Sequence, residues 1–308
     1  CVCRRHDAMP PFAVDTHRLG QGRPACSLEY WPNPGAGVVL FYPGTMLSPL
    51  QYRPLLLALR RAGLAVAALH YTGHGVNPHR VGFTFNDLLG NAFTAEAWLR
   101  GQGHTALAAC GHSQGGILCL AHAAASAHLT AALPVSAILP QQSEAISITH
   151  FAAFAQQREG LVRLIAGAAR LMPRLPLPVQ AYLSARRITA NAFGVRTSRR
   201  KVRYSYPLAF LASLFQARVP PRPRCPVCLF AAPDDALFTP ALTNSVFALL
   251  EAPTKKLVWL PGGGHLAAMQ PKTCTFLARH AAAFCAGQGL PLRLSAGEEM
   301  LAEAAWPR

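Results

Sequence analysis

The chain has 308 residues, of which 51% are apolar and 14% charged, and its mean hydropathy is +0.21. This much apolar surface excludes intrinsic disorder as the main state, because its burial offsets the conformational entropy lost on folding. Length and composition also exclude a collagen-like chain and a disulfide scaffold. No apolar stretch reaches the ~18 residues that a membrane-spanning helix needs. The sequence therefore predicts a soluble globular protein.

Most of the positive charge lies in one segment. The chain has 29 Lys and Arg residues against 13 Asp and Glu residues, a net charge of +16. Between residues 158 and 224 there are 14 basic residues and one acidic residue, a difference of 13. This pattern is typical of proteins that bind a nucleic acid, an anionic lipid surface or an acidic ligand. Compositional drift toward Arg and Ala would produce the same excess without such a partner.

Apolar runs and amphipathic segments alternate along most of the chain. In chain order they predict strands at 13–19, 25–31 and 38–42, helix 50–62, strand 64–69, helix 86–100, strand 105–110, helix 114–127, strand 129–139, strand 227–232, helix 240–250, strand 256–260 and helix 273–284. Continuously apolar strands are typical of a parallel sheet that is covered by helices on both faces.

The alternation stops between residues 141 and 224. This segment is Arg-rich, has helical patterning and contains prolines at 173, 176 and 178. The strands and helices after it are too few to form a sheet of their own. We therefore predict one core domain, residues 1–140 and 225–308, with a helical insertion at residues 141–224.

Residues Gly111-His112-Ser113-Gln114-Gly115 match the pattern G-x-S-x-G, between a predicted strand and a predicted helix. In this motif the serine lies on a tight, strained turn, and the glycines avoid collisions with the neighbouring strand and helix. The N-terminus of the following helix favours the negative charge that develops when the serine attacks a carbonyl group. Ser113 is therefore the candidate nucleophile.

A serine hydroxyl needs a base, and the base needs an acid that orients it. The expected order along the chain is serine, acid, histidine. His265 follows the last predicted strand in a glycine-rich segment, which makes it the candidate base. Two candidate acids follow the preceding strand, and we favour Asp235 over Asp234 because Asp235 lies deeper in the turn. Glu144, after the sixth predicted strand, is a third alternative.

A tetrahedral intermediate also needs backbone N–H donors for its oxyanion. Gln114, directly after the nucleophile, is predicted to supply one. The second is expected from the loop after strand 38–42, where Gly44 allows a close approach of the backbone. Thr45 is our first choice for this second donor, and Met46 is the alternative.

These motifs resemble those of the α/β-hydrolase superfamily, and within it the lysophospholipase, monoacylglycerol lipase and serine aminopeptidase-like branch. The resemblance runs from residue 38 to residue 284 apart from the insertion, and it rests on Pro43-Gly44-Thr45, Gly73-His74-Gly75, the Ser113 motif, Asp235 and His265. Two departures concern Pro43, where the family usually has His, and His70, where it usually has Asp. A serine nucleophile distinguishes the chain from the similar haloalkane dehalogenases and epoxide hydrolases, which use Asp.

The resemblance implies an α/β-hydrolase fold: a mostly parallel sheet flanked by helices, with a helical cap inserted after the sixth strand. Within the insertion, one face of a predicted helix carries Leu161, Leu164, Ile165, Ala168 and Met172, and the opposite face carries Arg163, Gly167, Arg170 and Arg174. The apolar face is expected to line an acyl pocket or to pack on the core. Peripheral contact of this basic cap with an anionic membrane is the alternative.

The basic run at 199–203 is interpreted as a solvated face, and no nucleic-acid partner is expected, because no base-reading motif accompanies it. The nine cysteines do not indicate a metal site, since Cys225 and Cys228 open an apolar run without a second pair of ligands. Cys1, Cys3 and His6 form only a loose candidate metal site.

We therefore expect a serine hydrolase that cleaves a medium-chain or lipid-like acyl ester through an acyl-enzyme, with neither a metal nor an organic cofactor. An acyltransferase, or an amide or peptide hydrolase, would use the same triad. A non-catalytic protein on this scaffold would instead bind a membrane or a polyanion through the basic cap. No export signal is visible in the sequence, which predicts a cytoplasmic location.

Overall fold

The computed structural model describes residues 14–20, 25–192, 195 and 201–294. Its main sheet has eight strands in the order β1-β2-β4-β3-β5-β6-β9-β10. Their bounds are β1 Asp15–Leu19, β2 Cys26–Trp31, β3 Val38–Tyr42, β4 Ala65–His70, β5 Leu107–His112, β6 Leu129–Val135, β9 Val227–Ala231 and β10 Lys255–Trp259. The pairs β1–β2 and β2–β4 are antiparallel, and all the other pairs are parallel. The predicted mostly parallel sheet is confirmed.

Helices cover both faces of this sheet. Their bounds are α1 Arg53–Arg61, α2 Phe85–Gly101, α3 Gln114–Ala125, α8 Pro240–Leu249 and α9 Pro271–Gly287. Within β3, Leu40 lies in the cluster that includes Leu118 of α3, whereas Phe41 lies in the cluster that includes Leu277 of α9. Because neighbouring strand residues point to opposite faces, burial of both faces requires the continuous apolar runs seen in the sequence.

The sixth strand is shorter than its apolar run suggests. The sequence predicts a strand at 129–139, but β6 ends at Val135, so the last four positions of the prediction are wrong. Ser136 has a φ of 47°, and its N–H donates to the carbonyl oxygen of Phe230 over 2.8 Å. The chain therefore leaves the sheet at Ser136. The apolar residues that follow are buried for another reason, since Ile138 lines a cavity described below.

The segment between β6 and β9 has short elements of its own: α4 Glu144–Ser147, α5 Arg158–Leu171, β7 Pro176–Pro178, α6 Ala185–Thr189, β8 Ser205–Pro207 and α7 Leu208–Gln216. The strands β7 and β8 form a separate antiparallel ribbon. The described residues also contain four 3₁₀ helices, at Pro49–Tyr52, Ala152–Gln157, Val179–Ala181 and Gly264–Met269. The proposed boundaries of the insertion, 141 and 224, stay a prediction.

Helix α5 packs through only part of the predicted apolar face, since Ile165 is buried and Leu161 and Ala168 are partly buried. Its buried residues are Arg158, Val162, Ile165 and Ala169, and the helix packs against α7. Leu164 and Met172, which were predicted to belong to the packed or pocket-lining face, are 71% and 50% exposed. This part of the prediction is wrong, because the apolar stripe of α5 is wider than the stripe that α7 covers.

Seven cysteines, among them Cys225 and Cys228, are buried free thiols within the described residues. No group of three potential metal ligands occurs in that part of the chain, and Cys1, Cys3 and His6 lie outside it. None of the described helices combines the length and apolar character needed to cross a membrane.

Candidate active site

Ser113 lies on the turn between β5 and α3. Its φ of 56° and ψ of −118° are a backbone conformation that residues with a side chain rarely adopt. Two glycines make the turn possible. A Cβ atom on Gly111 would overlap the carbonyl oxygen of Gly115, and a Cβ atom on Gly115 would overlap the carbonyl oxygen of Tyr42. The turn brings the Ser113 side chain to the carboxyl edge of the parallel strands.

The glycine-rich loop after β10 brings His265 to the same edge. Gly262, Gly263 and Gly264 all have positive φ angles, of 119°, 107° and 60°. A Cβ atom on Gly264 would overlap the carbonyl oxygen of Ala190, so a side chain is excluded there by space as well as by backbone conformation. The loop ends in the short 3₁₀ helix that carries His265.

Ser113, His265 and Asp235 are joined by hydrogen bonds. His265 Nε2 lies 2.9 Å from Ser113 Oγ, and His265 Nδ1 lies 2.9 Å from Asp235 Oδ2. The other carboxylate oxygen of Asp235 accepts the N–H groups of Leu237 and Phe238 at 2.8 Å each. This arrangement orients the imidazole so that Nε2 can accept the serine proton.

Asp235 is kept ionised by its partners. It is only 2% exposed, and burial by itself would raise the pKa of its carboxyl group. The hydrogen bond and charge of His265, together with the two backbone N–H groups, outweigh burial and lower the pKa of Asp235 below its ordinary value. A carboxylate that stays charged stabilises the positive charge that His265 acquires when it takes a proton.

The two other candidate acids lie elsewhere. Asp234 is half-buried, and its carboxylate accepts the N–H groups of Gly263 and Gly264 at 3.1 and 3.0 Å. It therefore fixes the loop that carries His265, whereas the imidazole itself pairs with Asp235. Glu144 is exposed at the start of α4, where its carboxylate accepts the hydroxyl of Ser143.

The two predicted oxyanion donors lie side by side. Thr45 Oγ1 donates to Gln114 Oε1 over 3.0 Å. Gln114 is the first residue of α3, and the N–H groups of a first helical turn have no acceptor within the helix. The N–H group of the alternative, Met46, donates to Tyr206 Oη over 2.8 Å. Thr45 is therefore the better placed of the two candidates in this loop.

The loop at residues 43–46, which we call the oxyanion loop after its predicted role, is held at Gly44 by Tyr52. The N–H group of Gly44 donates to Tyr52 Oη over 3.0 Å, and Tyr52 Oη lies 2.7 Å from His112 Nδ1. His112 Nε2 lies 2.7 Å from the carbonyl oxygen of His265. Burial lowers the pKa of His112 to about 3, so the imidazole is neutral at physiological pH. A neutral ring donates from Nε2 to His265 and accepts at Nδ1 from Tyr52.

Tyr206 of β8 holds the oxyanion loop at Met46. Tyr206 Oη accepts the N–H group of Met46 and lies 2.8 Å from His74 Nε2. His74 Nδ1 lies 2.9 Å from the carbonyl oxygen of Thr72. Burial lowers the pKa of His74 to about 3, with the Thr72 hydrogen bond opposing the shift and the charge of Arg203 adding to it. The phenol oxygen of Tyr206 thus connects the motif Gly73-His74-Gly75 to the oxyanion loop by hydrogen bonds.

Arg203 corrects the interpretation of the basic run at 199–203 as a solvated face. It is 4% exposed, and its guanidinium group donates to the carbonyl oxygens of Gly73 and Arg80 at 2.8 Å each. It also lies over the rings of Phe83 and Tyr206. For Arg203 the prediction is wrong, because its donors satisfy two loop carbonyls. Residues 199 and 200 lie outside the described part of the chain.

A cavity of about 60 Å³ opens beside Ser113. This is several times the ~10–15 Å³ that one water needs. Its walls are mainly apolar and come from the core and from the segment between β6 and β9, with Ile117, Leu237, Phe238, Ile148, Leu211 and Leu214 among them. The side chains of α5, all within the described residues, contribute none of these walls. The cavity can hold an apolar group next to the serine hydroxyl.

Sequence reasoning missed Tyr52, Tyr206 and the role of Asp234. Tyr52 lies in a helix and Tyr206 in a three-residue strand, and neither has a local pattern that separates it from an ordinary core aromatic residue. The three consecutive glycines before His265 were a usable signal, because a loop with exposed N–H groups favours a nearby acceptor. From that signal, Asp234 could have been predicted to accept hydrogen bonds from the glycine loop.

The sequence matches the model of the alpha/beta hydrolase family over residues 38–274. The chain belongs to this family. The predicted superfamily and its fold are therefore confirmed. A comparison with curated proteins gave no match.

Solved structures with the same fold include two monoacylglycerol lipases. That of Paleococcus ferrophilus has a TM-score of 0.66 and 18% identity, covering 90% of this chain and 100% of its own. A soluble variant of the Saccharomyces cerevisiae monoglyceride lipase has a TM-score of 0.69 and 15% identity, covering 92% and 99%. The esterase domain of a Rhodothermus marinus protein has a TM-score of 0.57 and 18% identity, covering 88% and 97%. These neighbours show that the chain shares their fold.

Proposed function

We propose that the protein is a serine-dependent hydrolase of carboxylic esters that works through an acyl-enzyme. The observation that carries this proposal is the hydrogen-bonded series from Ser113 through His265 to Asp235, at the edge of an apolar cavity. Membership of the alpha/beta hydrolase family supports it. In this proposal Ser113 is the nucleophile, His265 is the base, and Asp235 is the acid that orients the base.

In the first half of the reaction Ser113 Oγ attacks the ester carbonyl carbon, and its proton passes to His265 Nε2. The carbonyl oxygen becomes an oxyanion, which the backbone N–H groups of Thr45 and Gln114 stabilise. Asp235 stays ionised and holds the imidazolium in place. The intermediate then collapses, the bond to the alcohol oxygen breaks, and the alcohol leaves with the proton from Nε2.

The second half of the reaction repeats these steps with water. His265 takes a proton from a water molecule, whose oxygen attacks the acyl carbon of the acyl-enzyme. The same two N–H groups stabilise the second oxyanion. When this intermediate collapses, the bond to Ser113 Oγ breaks and Oγ recovers its proton from His265. The products are a carboxylic acid and an alcohol, and no cofactor is required.

The substrate class that we propose is a medium-chain or lipid-like acyl ester. The apolar walls of the cavity support it, because burying a hydrocarbon chain there contributes binding energy in proportion to its apolar area. Leu214 of α7 is one of these walls. We expect Leu214→Phe to shift the preferred ester toward shorter chains, because the larger side chain takes up room that a longer acyl chain would fill.

The test is the hydrolysis of p-nitrophenyl esters from acetate to palmitate by the wild type and by Ser113→Ala. We expect wild-type kcat/KM to peak at one chain length and to fall by at least about 10³-fold in the variant. Equal turnover by the two proteins would contradict a role for Ser113. Ser113-dependent turnover of amides but not of esters would replace the esterase by an amide hydrolase.

A further inference from the structure

The two N–H groups that flank Thr45 are both bound to phenol oxygens. Gly44 N–H donates to Tyr52 Oη over 3.0 Å, and Met46 N–H donates to Tyr206 Oη over 2.8 Å. Both tyrosines are fully buried. The peptide that carries the Thr45 N–H group lies between these two fixed amides, which hold both of its ends in place.

Each phenol is oriented by a neutral histidine. Tyr52 donates its proton to His112, which in turn donates to the carbonyl oxygen of His265. Tyr206 donates its proton to His74, which donates to the carbonyl oxygen of Thr72. With the phenol protons used in this way, the lone pairs of both oxygens are directed to the oxyanion loop.

The backbone of Met46 is held in a strained conformation by the segment at residues 203–206. Its φ of 71° is unusual for a residue other than glycine. Its carbonyl oxygen accepts the N–H group of Arg203 over 2.8 Å, while its own N–H group donates to Tyr206. Strain of this kind persists where the surrounding structure determines the conformation. Here the determining contacts come from residues 203–206.

We propose that Tyr52 and Tyr206 are positioning residues for the oxyanion hole, which hold the Thr45 N–H group toward the carbonyl oxygen that Ser113 attacks. This rests on the proposed function. Tyr206 belongs to the predicted cap, so the cap takes part in building the oxyanion hole in addition to forming one wall of the cavity.

The test compares Tyr206→Phe and Tyr52→Phe with the wild type on p-nitrophenyl acetate and on the preferred longer ester. We expect kcat to fall about 10–100-fold with KM within about twofold, because a misplaced donor weakens binding of the transition state alone. The loss should be equal for both esters, since the oxyanion is the same. Tyr204→Phe is the matched control: Tyr204 is 51% exposed, and kcat should be unchanged.

The outcomes separate the two proposals. A wild-type protein without Ser113-dependent turnover would contradict the proposed function itself. An active wild type whose kcat survives Tyr206→Phe and Tyr52→Phe would overturn only the positioning role. A lowered Tm with unchanged kcat at 25 °C would show that the phenols serve stability alone. A rise in KM for the longer ester only would show that they shape the cavity.

A second inference comes from a different surface, the exposed face of α5 and the residues after it. Leu164 and Leu171 are 71% and 84% exposed and lie seven residues apart, about 10.5 Å along one side of the helix. Met172 and Leu175 continue this apolar strip with exposures of 50% and 40%. Isolated exposed leucines are ordinary, but four exposed large apolar side chains within residues 164–175 indicate a contact surface.

Arginines lie beside this strip. Arg163, Arg170 and Arg174 are exposed, and no acidic side chain in the described ranges forms an ion pair with them. The acidic residue of α5, Glu159, is bound instead to Arg158 and Arg218. The exposed side of α5 thus offers apolar and positive groups together.

We infer that this face of α5 docks on an anionic lipid surface. Such a surface accepts both kinds of group, since leucines enter the acyl boundary and arginines contact the headgroups. A nucleic acid would leave the leucines in water. A second copy of this chain would carry the same net charge of +16 and be repelled.

The test is co-sedimentation with phosphatidylglycerol and phosphatidylcholine vesicles. We expect at least tenfold tighter binding to the anionic vesicles, weakened by salt. Leu164→Glu with Leu171→Glu should lower this binding at least tenfold, whereas Leu249→Glu, on the 46% exposed side chain of α8, should not. Turnover of p-nitrophenyl acetate should be equal in all three proteins.

Three results would overturn the docking inference. One is the absence of binding to anionic vesicles, and another is vesicle binding that the double substitution leaves unchanged. The third is a wild-type dimer that the double substitution converts to a monomer, which would assign the strip to a contact between copies of the chain.

Discussion

The two sides of the candidate active site are built in different ways. The turn that carries Ser113 depends on the glycines beside it in the sequence, because a Cβ atom on Gly111 or on Gly115 would overlap a backbone carbonyl oxygen. The oxyanion loop is held by side chains from three separate segments of the chain. Its amides and carbonyls are held by Tyr52, Tyr71 and Tyr206, the last of which comes from the segment between β6 and β9.

This difference shows that catalytic geometry has a local and a distributed component. A side chain added in the tight turn has one large cost, since a Cβ atom 2.0 Å from a carbonyl oxygen forces the backbone to move. A loop held by several hydrogen bonds loses its alignment in steps, because each bond contributes on the order of 1 kcal/mol. Substitutions in the two parts should therefore differ in kind as well as in size.

The largest effect is expected from Gly115→Ala. The new Cβ atom would overlap the carbonyl oxygen of Tyr42, so the β5–α3 turn could not close against β3. We expect a loss of several kcal/mol in the free energy of unfolding, together with loss of activity. Gly90→Ala in α2 is the matched control. Space surrounds Gly90, so this change should leave activity intact and raise stability by about 0.5–1 kcal/mol.

Urea unfolding of the two alanine variants checks this expectation. A folded and active Gly115→Ala protein would contradict the account of the turn, because it would show that the strand–helix packing can give way without cost.

The next largest effect should separate the two neighbouring aspartates. Asp235→Asn removes the charge that orients and stabilises His265, and we expect kcat to fall about 10³–10⁴-fold. Asp234→Asn keeps one acceptor for the glycine loop, so kcat should fall less than about tenfold. Steady-state kinetics on one ester measures both. Equal losses would mean that the two carboxylates share one role.

A double-mutant cycle sharpens the account of the oxyanion loop. If Tyr52 and Tyr206 fix the same Thr45 amide, the double Phe variant should lose less than the sum of the two single losses in activation free energy. The expected coupling is about 0.5–1.5 kcal/mol. Strict additivity would show that the two phenols act on separate parts of the site.

The last expected effect concerns pH and the two neutral histidines. The pKa of His74 and of His112 is about 3 in the folded protein, against about 6.5 in an unfolded chain. Below pH 6.5 the unfolded chain binds protons that the folded protein does not bind, so stability falls as the pH falls toward 3. Above pH 6.5 these two groups contribute no pH dependence.

His74→Gln should reduce the fall in the free energy of unfolding below pH 6.5 by up to about 1.4 kcal/mol per pH unit, which is the slope due to one proton. The free energy of unfolding in urea at pH 7.5, 6.0 and 5.0 measures it. An unchanged slope would mean that His74 takes up a proton in the folded protein and cannot accept one from Tyr206.

The same contrast explains what the sequence could predict. The sheet, its flanking helices and the Ser113 turn follow from continuous apolar runs and from a five-residue motif, which are local signals. The end of β6 at Ser136, the exposed leucines of α5 and the burial of Arg203 depend on contacts with distant segments. The side chain of Arg203 is buried because two loop carbonyls need donors, and no window around residue 203 contains that information.

The grouping of Ser113, Asp235 and His265 was only partly predictable from the sequence. Their order along the chain and their places after successive strands indicated a shared edge of the sheet. The choice between Asp234 and Asp235 rested on depth in the turn, whereas the structure distinguishes them by their partners, an imidazole for one and two glycine amides for the other.

The most direct measurement is the intact mass of the protein after treatment with a fluorophosphonate, followed by peptide mapping. The wild type should gain one adduct on Ser113, Ser113→Ala should gain none, and Asp235→Asn should react far more slowly than Asp234→Asn. An adduct on another residue, or equal labelling of the wild type and Ser113→Ala, would contradict the claim that Ser113 is the nucleophile.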